Sequence, residues 1–279
     1  MKLALGTVQF GLDYGVTNHD GQVTIDEVKN ILDYAKGKSI DTLDTASGYG
    51  NSEQVLGEVG VNNYRIITKT TPLKNGIDGV IKGFYQSLDN LNVEQVDGLL
   101  IHNIDDTKDK RFGDLFHKLN ELKEERVIKK IGFSTYTPEQ VDFLLENFDF
   151  DLIQVPFNVF DTRLVEGGQL KALKKKNIEI HARSVFLQGV LLCFDSLSDY
   201  FSTWNAQFEQ YQGLVREKEL SLLEYALNFA LNTQELDKIL VGVDSVNQLT
   251  DIVNAFKSDV DLKAFKIDDI NLLNPNLWN

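Results

Sequence analysis

Short apolar runs alternate along the chain with longer stretches whose apolar residues recur every three or four positions. The first kind has the length and β-branched content of buried strands, and the second has the period of amphipathic helices. The runs fall at residues 3–5, 40–45, 65–69, 96–101, 128–133, 152–155, 178–183 and 238–241. Between them the helical period predicts elements near 24–36, 52–60, 77–91, 115–126, from 138 onward, 168–175, 219–231 and 245–256. Thr24 and Glu27 form a capping-box pattern, Asn51 or Ser52 is expected to cap the second helix, and Pro138 sits at a favoured first-turn position.

Strict alternation of strand and helix implies a parallel sheet, and eight repeats imply its closure into an α/β (β/α)8 TIM barrel. No low-complexity linker interrupts the series, so residues 1–279 read as one domain. An open doubly wound sheet is disfavoured: no G-x-G-x-x-G follows the first strand, and no G-x-x-x-x-G-K occurs anywhere. Two stretches stand outside the pattern, an insertion at about 193–213 rich in aromatics and a polar tail after the last helix.

Composition narrows the partners. At 42% hydrophobic and 25% charged, the 279 residues suit an ordinary globular enzyme. A formal net charge of -14 argues against nucleic acid and against an anionic membrane surface. No apolar run is long enough to span a bilayer, and no basic segment with an apolar run opens the chain. Cys193 is the only cysteine, which excludes an intrachain disulfide and points to a reducing, cytoplasmic compartment. The four histidines show no metal-site spacing, so no metal is expected.

Four polar residues stand at or just beyond the ends of predicted strands: Asp44, Tyr49 in the loop after it, Lys69 and His102. Taken singly, they read as a turn cap, a packed aromatic, a solvated lysine and a structural histidine. Together, at the ends of three adjacent strands, they make a proton-transfer set. Reduction of a carbonyl by hydride leaves an alkoxide that must be protonated as it forms. A tyrosine can do this, although its reference pKa of about 10 makes it a weak acid. A neighbouring ammonium favours the phenolate, the role expected of Lys69, and Asp44 can fix that ammonium by pairing with it. His102 can hydrogen-bond the substrate oxygen.

The stretch D-T-A-x-x-Y-G from Asp44 to Gly50, with Ser52 and Glu53 behind it and Leu56-Gly57 following, resembles the aldo-keto reductase family. The resemblance extends from residue 5 to about residue 251 and implies a catalytic tetrad of Asp44, Tyr49, Lys69 and His102. It also implies a nicotinamide site. Residues 132–135 resemble the family's G-x-S-N segment, so Ser134 and Thr135 (in place of the asparagine) are expected to hold the carboxamide together with Gln154. Gly6 and Thr7 match the opening G-T beside the nicotinamide. Residues 183–189 resemble the S-P-L-x-Q-G loop that clasps the pyrophosphate, through Ser184, Phe186, Leu187, Gln188 and Gly189, with Val185 in place of proline. Gly242 matches the end of strand eight, and Ser245, Gln248 and Asp251 fall where the adenosine is met.

The resemblance implies an NAD(P)-dependent oxidoreductase that interconverts a small-molecule carbonyl compound and an alcohol. NADPH is the expected cofactor and NADH the alternative, since no Lys or Arg lies between Gly242 and Ala255 and Asp244 would repel a 2′-phosphate. Phe10, Tyr14, Phe157, Asn158 and the aromatics of the insertion (Tyr200, Phe201, Trp204, Phe208 and Tyr211) are expected to shape the substrate pocket. The opening LGTVQFGLDYG is similar to relatives encoded with surface-polysaccharide pathways, which suggests a sugar or keto-sugar substrate. A cofactor-binding regulatory protein of low turnover is the competing reading.

Overall fold

The computed structural model describes every residue except 19, 259 and 279. Eight parallel strands close into a barrel in chain order: β1 (Leu3–Gly6), β2 (Thr42–Asp44), β3 (Arg65–Lys69), β4 (Gly98–Ile101), β5 (Ile131–Ser134), β6 (Leu152–Pro156), β7 (Glu179–Arg183) and β8 (Lys238–Gly242). The helices are α1 (Ile25–Gly37), α2 (Ser52–Val59), α3 (Ile77–Leu91), α4 (Phe112–Glu124), α5 (Pro138–Asn147), α6 (Arg163–Glu166), α7 (Gln169–Lys175), α8 (Asn205–Glu217), α9 (Leu222–Leu231), α10 (Val246–Asn254) and α11 (Ile270–Leu273). The expected (β/α)8 barrel is therefore the fold. Val96 and Ile128, expected inside strands four and five, instead form a separate parallel bridge ahead of them.

Strand periodicity sets which side chains reach the mouth. Alternate residues point to the same side of a strand, so a residue two before a mouth residue fills the barrel beneath it. Ile67, Leu100 and Leu152 stand two before Lys69, His102 and Gln154, and they form a buried cluster of their own. The main core lies outside, between the strands and the helical ring. At the opposite end of the barrel Glu179 accepts from His181 at 2.8 Å and pairs with Arg65 and Lys130.

Several local expectations are corrected by side chains that found a longer-range partner. Thr24 does cap α1, accepting from the Glu27 backbone N–H, but Glu27 does not complete the box. Its Oε1 instead accepts from the Val246 N–H at 2.7 Å, tying α1 to the start of α10. Neither Asn51 nor Ser52 caps α2 through its side chain: the Ser52 hydroxyl donates to the Thr7 carbonyl at 2.8 Å, and Asn51 accepts from Gln22. Helix α9 begins at Leu222 rather than near 219, because Ser221 and Glu224 form a full capping box there.

The aromatic insertion and the tail are also corrected. Phe201, Trp204, Phe208 and Tyr211 turn inward onto Phe160 and Tyr225 in a second buried cluster that includes Ile267, Leu272 and Leu273 of the tail. The tail is held by backbone bonds from Phe265 to Val159 and from Ile267 to Phe160, at 2.9 and 3.1 Å, and by Trp204 donating to Asp269 at 3.1 Å. Phe10 and Phe157 belong to the main core, and the Asn158 amide is spent on Ser184, Phe160 and Asp161. Of the residues expected to shape a substrate pocket, Tyr14 alone lines the cleft described below.

One close backbone approach seats the Tyr49 loop. A Cβ on Gly11 would lie 1.9 Å from the Tyr49 carbonyl oxygen, and one on Gly50, whose φ is +57°, would lie 2.2 Å from the Gly11 oxygen. Gly11→Ala is therefore expected to destabilise the fold by about 1–3 kcal/mol, the usual scale of overpacking. Thermal denaturation measures this, and an unchanged melting temperature would show that the approach is slack.

Candidate active site

A cleft of about 550 Å³ opens at the carboxyl ends of the strands, where barrels of this architecture carry their chemistry. At its floor Asp44 and Lys69 form a buried ion pair, with Lys69 Nζ 2.7 Å from Asp44 Oδ1. Lys69 also donates to the Thr45 carbonyl at 2.9 Å, and Gln154 Nε2 donates to Asp44 Oδ2 at 2.7 Å. Burial opposes the charge on Lys69, but the Asp44 carboxylate and the Tyr49 phenol outweigh it and hold the ammonium above its ordinary value. Behind the pair Glu53 accepts from the Thr68 hydroxyl at 2.7 Å, one residue before Lys69, and burial pushes its carboxyl up.

Tyr49 and His102 stand over this pair. Lys69 Nζ is 4.8 Å from the centroid of the Tyr49 ring, and the His102 ring meets Tyr49 edge-on at 6.3 Å. Burial, with the nearby Lys69 charge, brings His102 down to about 4, so the imidazole is neutral at pH 7. The fold thus brings together all four residues proposed for proton transfer.

Most residues expected at a nicotinamide site also line the cleft: Gly6, Thr7, Ser134, Gln154, Ser184, Phe186, Gln188, Gly189, Gly242, Gln248 and Asp251. Three do not. Thr135 is fully buried, and its hydroxyl has no partner among the described residues. Leu187 packs into the second aromatic cluster. Ser245 caps α10, accepting from the Gln248 N–H at 3.2 Å. Gln154 spends one of its two amide N–H donors on Asp44, which leaves the other N–H and its carbonyl oxygen for a ligand.

The loop at residues 184–189 carries positive φ at Ser184, Leu187, Gln188 and Gly189, a strained path typical of ligand clamps. It closes against the β1–α1 loop. Gln188 Nε2 donates to the Tyr14 hydroxyl at 2.8 Å, and the Gln188 carbonyl accepts from Val16 at 3.1 Å. A Cβ on Gly189 would lie 2.2 Å from the Thr17 hydroxyl. Burial, with Tyr49 nearby, raises Tyr14 to about 12 and keeps its hydroxyl protonated.

The sequence reading missed other wall residues, chiefly Gln9, Tyr136 and Arg183. Gln9 lies in the GTVQFG turn, with a buried Oε1 that has no partner among the described residues. Arg183 stacks 4.2 Å from the Tyr136 ring centroid and donates to the Thr135 carbonyl at 2.9 Å. Its place at the end of β7 was the available signal, since neighbouring strand ends had already been singled out. Cleft size, the glycine-lined wall and the unpaired Gln9 acceptor fit a nicotinamide dinucleotide.

A closed parallel barrel with its titratable cluster at the strand carboxyl ends defines the class as a barrel enzyme. Residues 2–273 match the Aldo/keto reductase family model, and the chain belongs to that family of oxidoreductases. It is 25% identical over 257 residues to the uncharacterized oxidoreductase YqkF of Bacillus subtilis (strain 168), covering 81% of each chain. Against L-galactose dehydrogenase of Arabidopsis thaliana it is 25% identical over 260 residues, 84% of this chain and 79% of that one. The solved aldo-keto reductase AKR11C1 from Bacillus halodurans (holo form) shares the fold, with a TM-score of 0.73 at 20% identity over 92% of this chain and 87% of that one.

The depressed His102 value has a consequence for stability. Between pH 6.5 and about 4 the unfolded chain protonates this imidazole while the folded chain resists, so acidification through that window costs stability. His102→Gln is expected to flatten that part of the acid limb, read as the change in urea midpoint with pH. Wild-type and variant limbs of equal slope would refute the neutral, buried imidazole.

Proposed function

We propose that the protein interconverts a carbonyl compound and an alcohol, with Tyr49 as the general acid in reduction. The observation that carries this reading is the geometry of the cluster, with the Tyr49 and His102 rings standing over the buried Asp44–Lys69 pair at the cleft floor. Each Asp44 oxygen accepts one bond, from Lys69 and from Gln154, Lys69 is held charged by its carboxylate partner, and His102 is neutral at pH 7. The Tyr49 hydroxyl is the proton donor in this reading, with the Lys69 ammonium 4.8 Å from its ring centroid. A reduced nicotinamide bound along the cleft supplies the hydride.

The other residues position the reactants. A neutral His102 can offer one N–H to the carbonyl oxygen without competing for the transferred proton. Asp44 fixes the Lys69 ammonium, and Gln154 fixes Asp44. Ser134 and the Gln154 carbonyl suit the carboxamide, with the Gly6 and Thr7 backbone beside the ring. Ser184, Phe186, Gln188 and Gly189 form the clamp for the pyrophosphate; Gly242, next to Gly6 in the barrel, begins the wall that Gln248 and Asp251 continue as the seat for the far nucleoside.

For the substrate we favour a sugar or keto-sugar. The cleft wall is polar, with Tyr14 and Arg183 near the cluster and Gln9 and Asn18 along it, and one relative bears the name L-galactose dehydrogenase. The lone Cys193 agrees with a reducing cytoplasmic setting.

Tyr49→Phe is expected to lower kcat for reduction by about 10²–10⁴-fold, the usual contribution of a general acid, with dinucleotide affinity nearly unchanged. Steady-state oxidation of reduced dinucleotide with aldoses and keto-sugars, beside fluorescence titration, measures both. Wild-type turnover in this variant would overturn the assignment.

A further inference from the structure

We infer that the far end of the cleft selects NADH over NADPH, because the chain's own carboxylates stand where a 2′-phosphate would need cations and free backbone donors. The inference rests on the cofactor reading above and reverses the NADPH expectation drawn from the family resemblance. Hydride transfer places the nicotinamide at Tyr49, Lys69 and His102. The other nucleoside then lies farther along the cleft, past Gly242, walled by Asp244, Gln248, Asp251 and Ile252.

Three observations at that end agree. The first concerns three of the backbone donors at the start of α10, a natural seat for a phosphate; the Ser245 and Asn247 N–H groups are not among them. The Val246 N–H is taken by the Glu27 carboxylate at 2.7 Å, the Gln248 N–H by the Ser245 hydroxyl at 3.2 Å, and the Asp244 N–H just before the helix by Gln248 Oε1 at 2.8 Å. A formal negative charge thus already occupies the helix terminus.

The second is Asp244 itself. Its Oδ2 accepts from Gln248 Nε2 at 3.4 Å, while its Oδ1 is buried without a partner among the described residues. An unpaired buried acceptor calls for a hydroxyl donor such as a ribose 2′-OH, the arrangement by which acidic residues favour NAD. Burial raises the Asp244 carboxyl, and Asp20 and Asp13 add to the rise, so the local field is acidic.

The third is where the cations are. Lys69 and Arg183 are the lysine and arginine in the cleft wall, and both serve the reacting end. Lys69 is paired to Asp44, and Arg183 is bonded to Thr135 and Ser184. Between Gly242 and Ala255 there is no Lys or Arg to meet a second phosphate.

The test is equilibrium titration of the purified full chain with NADH and NADPH, and with ADP-ribose and its 2′-phosphorylated form as probes lacking nicotinamide. The unphosphorylated member of each pair is expected to bind about tenfold or more tightly, the scale of one close like-charge contact. The gap should narrow as salt rises. Asp244→Asn should narrow it further by raising affinity for the phosphorylated member. NADPH binding as tightly as NADH would overturn the selectivity while leaving the cofactor reading intact. Binding of neither dinucleotide would overturn the cofactor reading and this inference with it.

Discussion

The site depends on the buried pair between Asp44 and Lys69. Removing two charges from water costs several kcal/mol per ion, and the pair holds only because its remaining hydrogen-bonding groups are also met. Lys69 reaches the Thr45 carbonyl and Asp44 takes the Gln154 amide, so the pair joins the ends of β2 and β3 to β6 across the barrel. Deleting one partner alone would strand the other charge, at a cost of about 3–5 kcal/mol. Burial, together with the neighbouring Lys69 ammonium, keeps the imidazole of His102 uncharged at pH 7.

The charge along the cleft is graded. Cations gather where a hydride donor and an oxyanion would meet, and carboxylates gather at the far wall around Asp244 and Asp251. A net charge of -14 says nothing of this division, because the Coulomb energies that matter act over a few ångströms in a partly buried groove. Between the two ends, the strained loop at residues 184–189 supplies backbone geometry in place of charge.

The barrel was readable because short apolar runs, buried on consecutive residues, alternate with amphipathic helical stretches; β3 was read to the residue. The floor of the site was readable for the same reason, since Asp44, Lys69 and Gln154 occupy inward positions on short strands. Pattern reading failed where a side chain reached beyond its own element. Glu27 looked like the second half of a local cap and instead spans 219 positions to Val246. Thr135 and Leu187 sit beside true wall residues, but neighbours along a chain face different ways, and theirs face inward. The insertion's aromatics looked like a pocket because hydrophobic content alone does not distinguish a ligand wall from a second core.

The tail carries a constraint on how the molecule is made. Ile267, Leu272 and Leu273 complete the nest around Phe201, Trp204, Phe208 and Tyr211, yet they are synthesised after everything they cover. While translation is still short of these residues, a greasy flank of Phe and Trp must wait bare. That flank therefore stays uncovered until residues 267–273 are made, after all eight barrel strands.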